Sequence, residues 1–278
     1  MTAEDGALFT GLVIGDDARE SPRLIDAFRS SGLSHLTAVS GENVVFVLAA
    51  ASPALRRLRP WWRWAATLAL IGWFMALTRF EPSVLRAGVM AMLGCSSFVL
   101  GRQHSVVRLL AWTVTILVIV DPMLVWSVGF WLSTGATAGV CVVAPPLTER
   151  LPGPRWLRAP LAVTLGAQLG VVVPSWLVFH RLPLVSLPAN LLAVPVAGFV
   201  MLFGIPAGLL AAILRPIAPV LMAPCAAGTR WVATVAYLAA GAEPSPRVAA
   251  AGWLAVVAIV CALVVHHRWR RPPDDVPI

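Results

Sequence analysis

The chain of 278 residues is 59% hydrophobic and only 12% charged, with a mean hydropathy of +0.82. A soluble domain carries about a quarter charged residues, so this composition excludes an ordinary water-soluble globule and describes an integral membrane protein. The net charge of +8 rests on 21 basic residues, all of them arginine, and their positions follow the sidedness of membrane loops more closely than a nucleic-acid-binding stripe.

The chain opens with "MTAEDGALFTG", which is acidic and lacks the basic region of a signal peptide, so no cleaved leader is expected. The stretch "ESPRLIDAFRSSGLSHL", Glu20 to Leu36, predicts a short amphipathic helix. Ser21 is placed to cap it, Pro22 suits its first position, and Gly32 can end it. Leu24, Ile25 and Phe28 share one face while Arg23, Asp26 and Arg29 take others, the pattern of a helix lying on the outer membrane surface. Residues 1–35 are therefore read as an external N-terminal segment.

From residue 36 to residue 266, apolar stretches near the ~20 residues that cross a bilayer recur along the chain. They predict an all-α, polytopic membrane helical bundle, with spans near 36–54, 61–78, 83–100, 106–120, 124–144, 160–178, 187–212, 219–240 and 248–266. About nine spans are expected, with eight as the alternative if the short fourth stretch and Asp121-Pro122 form a tight hairpin with the fifth. Arginine sets the orientation. The connections after spans one, three, five, seven and nine hold thirteen arginines, against Arg79, Arg86, Arg181 and Arg247 on the other side. By the positive-inside rule the N-terminus is external and the tail, residues 267–278, is cytoplasmic, in a multi-pass protein of the cell membrane.

The first span opens unusually, on Ser40, Gly41, Glu42 and Asn43 within "HLTAVSGENVVFVLAA". A carboxylate and an amide there are costly against lipid, so a wet vestibule at the outer mouth is expected to solvate them. Arg86 lies about one turn into the third span and can either snorkel outward or face a polar path. Arg230 sits near the centre of the eighth, too deep for easy snorkelling, and calls for a partner or a water-filled path. Pro174, Pro195 and Pro206 each interrupt an apolar run and free the carbonyls of Gly170, Leu191 and Leu202. Gln168 and Asn190 are the nearby polar groups able to meet those carbonyls; the prolines serve either packing kinks or a broken-helix gate. The pairs Gly135/Gly139, Gly166/Gly170 and Gly204/Gly208 each place two glycines on one helix face for close packing.

No enzyme motif emerges. His35, His104, His180, His266 and His267 show no metal-binding spacing, and no nucleophile elbow, phosphate loop or carboxylate cluster is present. Cys95, Cys141, Cys225 and Cys261 all fall in apolar runs and read as small hydrophobes in reduced form. No cofactor, metal or catalytic activity is expected.

"FRSSGLSHLTAVSGENVVFV", Phe28 to Val47, resembles the signature of the ComEC-type competence proteins, polytopic bacterial membrane proteins that carry single-stranded DNA inward during transformation. Further blocks follow the same order: "ALFTGLVIGD" before it, then "FEPSVLRAGVMA", "DPMLVWSVGFWLSTGATAG", "AQLGVVVPSWLVFH" and "ANLLAVPVAG", together covering roughly residues 7 to 215. Many relatives carry Leu-His where Glu42-Asn43 stands, and glutamine where Trp131 stands, so those side-chain roles do not transfer. Larger members add an OB-like and a metallo-β-lactamase-like domain; the metal motif of the latter is absent from this sequence, which is read as a fragment or a minimal member. The resemblance implies a transmembrane competence domain over residues 36–266 that passes single-stranded DNA. Ser40, Glu42, Asn43, Arg86, Gln168, Asn190 and Arg230 are then the candidate polar path. Membrane lipids and other competence proteins are expected partners, and an oligomer is compatible. A small-molecule secondary transporter and a scaffold for an uptake complex are the alternatives from other classes.

Overall fold

In the computed structural model, which describes residues 3–15, 18–37, 40–179 and 183–270, the fold is all-α. It comprises 12 α-helices joined by short turns, with no strand among the described residues. The expectations attached to His180, Arg181 and Arg271 and to residues 271–278 of the tail lie outside the described residues.

Each of the nine apolar intervals folds as helix. In chain order they form α3 (Gly41–Leu55), α4 (Pro60–Leu77), α5 (Pro82–Val99), α6 (Val106–Val120), α7 (Val128–Val142), α9 (Arg155–Phe179), α10 (Ser186–Ile213), α11 (Ala218–Ala242) and α12 (Pro246–Arg270). The short α8 (Ala144–Arg150) follows α7. By length and composition α5, α9 and α10 are able to cross a membrane, and α7 with α8, bent by 42°, make a fourth if they form one span. Only 11–22% of the apolar windows of those three long helices is buried inside the fold. Apolar surface left outward on this scale is unfavourable in water and favourable in lipid, so the chain is a multi-pass membrane protein.

Capping residues fix where the helices begin. Ser40, Ser105 and Ser127 start α3, α6 and α7 by accepting the amides of Glu42, Arg108 and Phe130. Asp121 ends α6 and accepts the Met123 amide at 3.0 Å, opening a 3-10 turn over Pro122–Trp126. The stretch expected as one span from 124 to 144 is therefore split between this turn and α7. Pro22, Pro60 and Pro82 stand at the first positions of their helices, where a missing amide costs nothing.

The expected amphipathic helix is α2 (Pro22–Ser31), and its caps are those foreseen. Ser21 Oγ accepts the Leu24 amide at 3.3 Å, and Gly32 ends the helix at φ 72°, in the left-handed region that favours glycine. Its apolar face does not rest on lipid alone. Leu24 and Phe28 are buried in a core with Ala189, Ala193 and Val200 of α10 and Val232 and Ala236 of α11. The acidic opening segment, expected only as part of an external stretch, forms a further helix, α1 (Ala3–Ile14). Leu8 and Leu12 of α1, one turn apart, are buried in that same core.

The proline-bearing helices are continuous where a break was one expectation. α9 runs through Pro160 and Pro174, and α10 through Pro195 and Pro206. The glycine pairs explain part of this. Gly135 and Gly139 of α7 face Gly170 and Gly166 of α9, so closely that a Cβ at any of the four would meet the opposite backbone. The carbonyl freed by Pro174 belongs to Gly170, and it lies against Gly135. A neighbouring backbone covers it, as in Cα–H···O packing, and no polar side chain is needed there. Gly204 instead admits Phe9 and Val13 of α1, while Gly208 faces open space.

Candidate functional site

The first turn of α3 and the N-terminal halves of α5 and α7 meet around one arginine. Arg86, in the second turn of α5, is 9% exposed. It does not snorkel. Its Nε donates to Ser133 Oγ of α7 at 2.8 Å, and its Nη1 reaches only the Met90 sulfur at 4.0 Å. Its Nη2 lies against Gly41, the first residue of α3, where a Cβ would stand 2.6 Å away. Gly41 has no left-handed backbone, so its role is to let α3 approach Arg86 and Ala87. No carboxylate pairs with Arg86 among the described residues. The head of α3 adds the positive pole of its dipole to the charge of the guanidinium, which favours an anion.

The other polar residues of the "SGEN" stretch sit on the same end of α3. Ser40 is the cap and is half-buried, Glu42 is exposed, and Asn43 is half-buried with Oδ1 enclosed and without a hydrogen bond. The first turn of α3 thus presents a carboxylate to the outside and an amide to the interior.

The remaining candidates are not gathered here. Asn190 is buried, and its Nδ2 donates to the Ser186 carbonyl at 2.7 Å. It was expected near the Leu191 carbonyl freed by Pro195, but a helical side chain leans toward the N-terminus, away from that carbonyl. Gln168 is half-buried on α9 and makes no hydrogen bond among the described residues. Arg230, in the middle of α11, has the partner its depth demanded: its Nε donates to Asp5 Oδ2 of α1 at 2.8 Å. Tyr237 and Ser21 both donate to Glu4 Oε1 beside it, at 3.0 and 3.1 Å. Glu4, Asp5, Arg230 and Tyr237 line an open cleft of about 270 Å³ together with Leu8, Leu24 and Thr234. Two separate polar places therefore stand where one path was expected, one at the heads of α3, α5 and α7 and one between α1 and α11.

The profile of a family described as "Competence protein" matches residues 12–272. The chain belongs to the competence protein family. Among its relatives is "Competence protein ComA" of Neisseria gonorrhoeae, 29% identical over 273 residues, which covers 93% of this chain and 37% of that protein. "ComE operon protein 3" of Bacillus subtilis (strain 168) is 27% identical over 213 residues, 76% of this chain and 27% of that protein. "Uncharacterized protein YcaI" of Escherichia coli (strain K12) is 28% identical over 218 residues, 70% of this chain and 28% of that protein. The chain thus spans 27–37% of the length of these relatives. No solved structure matches it.

Within this competence protein, sequence reasoning missed Ser133, Asp5 and Glu4. Ser133 stands in the "GFWLSTGATAG" block, two residues before Gly135, and its spacing carries no sign that it meets an arginine 47 positions away. Asp5 meets Arg230 across 225 positions. The apolar pair Leu8 and Leu12 was the available signal that the opening segment is a packed helix.

Proposed function

We propose that this competence protein passes single-stranded DNA across the cytoplasmic membrane during natural transformation. The observation that carries this reading is the match to the competence family over residues 12–272, joined to a helical fold whose long apolar helices bury little of their surface. The transmembrane competence domain takes residues 36–266 and crosses the membrane about nine times, with residues 1–35 outside and 267–278 in the cytoplasm. One contact agrees with the alternation of spans that this topology requires. Glu243, after α11, accepts the amides of Leu184 and Val185 at 3.1 Å each, which joins the α9–α10 and α11–α12 connections at one end. Both are external under the arginine rule. The polar path begins at Ser40, Glu42, Asn43 and Arg86. The chain contributes passage and no covalent chemistry, and other competence proteins deliver the strand and draw it inward.

Deletion of the gene in a transformable host tests this reading. Labelled DNA in the cytoplasm is scored separately from DNA held at the cell surface. The expected result is loss of the internal signal with the surface signal retained, restored by the gene in trans. Unchanged internal DNA rules the function out.

A further inference from the structure

We propose that Arg86, held by Ser133 against the first turn of α3, is a binding site for a single phosphate oxyanion. The site itself stands on the geometry alone, and only the source of the phosphate, a DNA strand, rests on the function proposed above. A guanidinium largely removed from water is stabilised by an anion that replaces its lost hydration. Arg86 is 9% exposed, and among the described residues no carboxylate reaches it. The ion pairs Arg29 with Asp26 and Arg230 with Asp5 lie elsewhere in the fold.

The arginine is also held ready. Ser133 Oγ takes its Nε at 2.8 Å, which fixes the plane of the guanidinium. The terminal edge, Nη1 and Nη2, has no oxygen acceptor among the described residues, only the Met90 sulfur at 4.0 Å. That edge is the part of the fork that grips two oxygens of a phosphate. Gly41 lets it stand at the head of α3, a helix of 15 residues, whose positive pole adds to the attraction for an anion. Asn43, two residues on, keeps an enclosed amide oxygen without a partner but stands on another face of α3 from Gly41, so it is not part of the site. The exposed Glu42 carboxylate, next to Gly41 in the chain, limits affinity. A weak single-phosphate site suits a strand that must bind and then leave.

A phosphate of this kind comes either from a DNA strand or from a lipid headgroup, and the test separates them. The full chain is purified in a maltoside detergent and titrated with fluorescein-labelled oligothymidylate, read by anisotropy. Inorganic phosphate is the competitor, and phosphatidylglycerol is added in a parallel series. Oligonucleotide binding that phosphate displaces is expected, weakened about tenfold by Arg86→Gln. The slope of log affinity against log salt should become shallower by about 0.7, the contribution of one phosphate contact on a single strand. Arg86→Lys should recover part of the affinity, since it keeps the charge and loses the fork, and Ser133→Ala should lower it severalfold. Elution profile and melting temperature report whether each variant is folded; if Arg86→Gln is not, the lysine and Ser133→Ala variants carry the comparison. Folded variants that bind with wild-type affinity and salt slope overturn the site, as does a wild type that binds none of the three probes. If phosphatidylglycerol competes with phosphate in an Arg86-dependent way while the oligonucleotide does not bind, the phosphate site stands and its ligand is a lipid. In that case the assignment to DNA fails.

Discussion

At the scale of single residues, Gly41 decides how closely α3 approaches α5. A Cβ there would lie 2.6 Å from Arg86 Nη2, 2.8 Å from Ala87 Cβ and 3.2 Å from the Ser83 carbonyl. The arginine head can swing aside, but Ala87 is fixed to the α5 backbone. Gly41→Ala is therefore expected to push α3 away from α5 and to cost about 1–3 kcal/mol, the usual range for overpacking. Thermal unfolding in detergent checks this. The double variant Gly41→Ala with Arg86→Ala should recover only part of the loss, because the Ala87 contact persists. Full recovery would mean that the arginine alone sets the spacing. Arg230 teaches a related point. Its side chain is 58% exposed in the fold while the Asp5 side chain is 13% exposed, so the pair serves to dock α1 on α11 and is open on the arginine side.

At the scale of elements, α7 and α9 approach backbone to backbone, and four glycines make this possible. Their spacing of four places each pair on one face, and the missing side chains let backbone meet backbone. Gly139→Ala inserts a Cβ into the space held by the Gly166 carbonyl, a backbone atom that cannot rotate away. A marked loss of folded protein, or a fall in melting temperature beyond that of Gly41→Ala, is the expected outcome. Gly208→Ala is the matched control. It belongs to an equivalent sequence pair, yet nothing lies within 4 Å of its Cβ position, and alanine favours helix by about 1 kcal/mol over glycine. It should be neutral or slightly stabilising. Equal damage from both substitutions would show that helix propensity or lipid contact, and not the α7–α9 interface, sets the requirement.

At the scale of the whole molecule, the arginine distribution predicts that the connections joined by Glu243 and the shared heads of α3, α5 and α7 lie on one and the same side of the membrane, the external one. The arginine-rich connections are predicted on the opposite, cytoplasmic side. Reporter fusions after Arg59 and Arg271 are expected to read cytoplasmic, and fusions after Glu81 and Glu243 external. The exposed Trp61, Trp62 and Trp156 lie beside the arginines of the predicted cytoplasmic end, where amphipathic rings anchor a membrane interface. A reversed reading at two or more fusion sites would overturn both the orientation and the count of nine spans.

The sequence by itself determined the membrane class, the positions of the apolar helices, the caps of α2 and the family. Each of these depends on local composition, on the chemistry of two or three neighbouring residues, or on an ordered set of short blocks. The glycine pairs were likewise legible as close-packing faces, but not which helix each would meet. Only the tertiary structure decided that Gly135 and Gly139 face Gly170 and Gly166, that Arg230 meets Asp5, and that Arg86 turns inward to Ser133. It also separated the seven candidate polar residues, leaving Asn190 on its own helix at Ser186 and Arg230 on α1. The physical reason is that a buried charge constrains the existence of a partner and not its place in the chain. Which partner answers is set by how the helices pack across dozens to hundreds of residues, and helical periodicity carries no record of that distance.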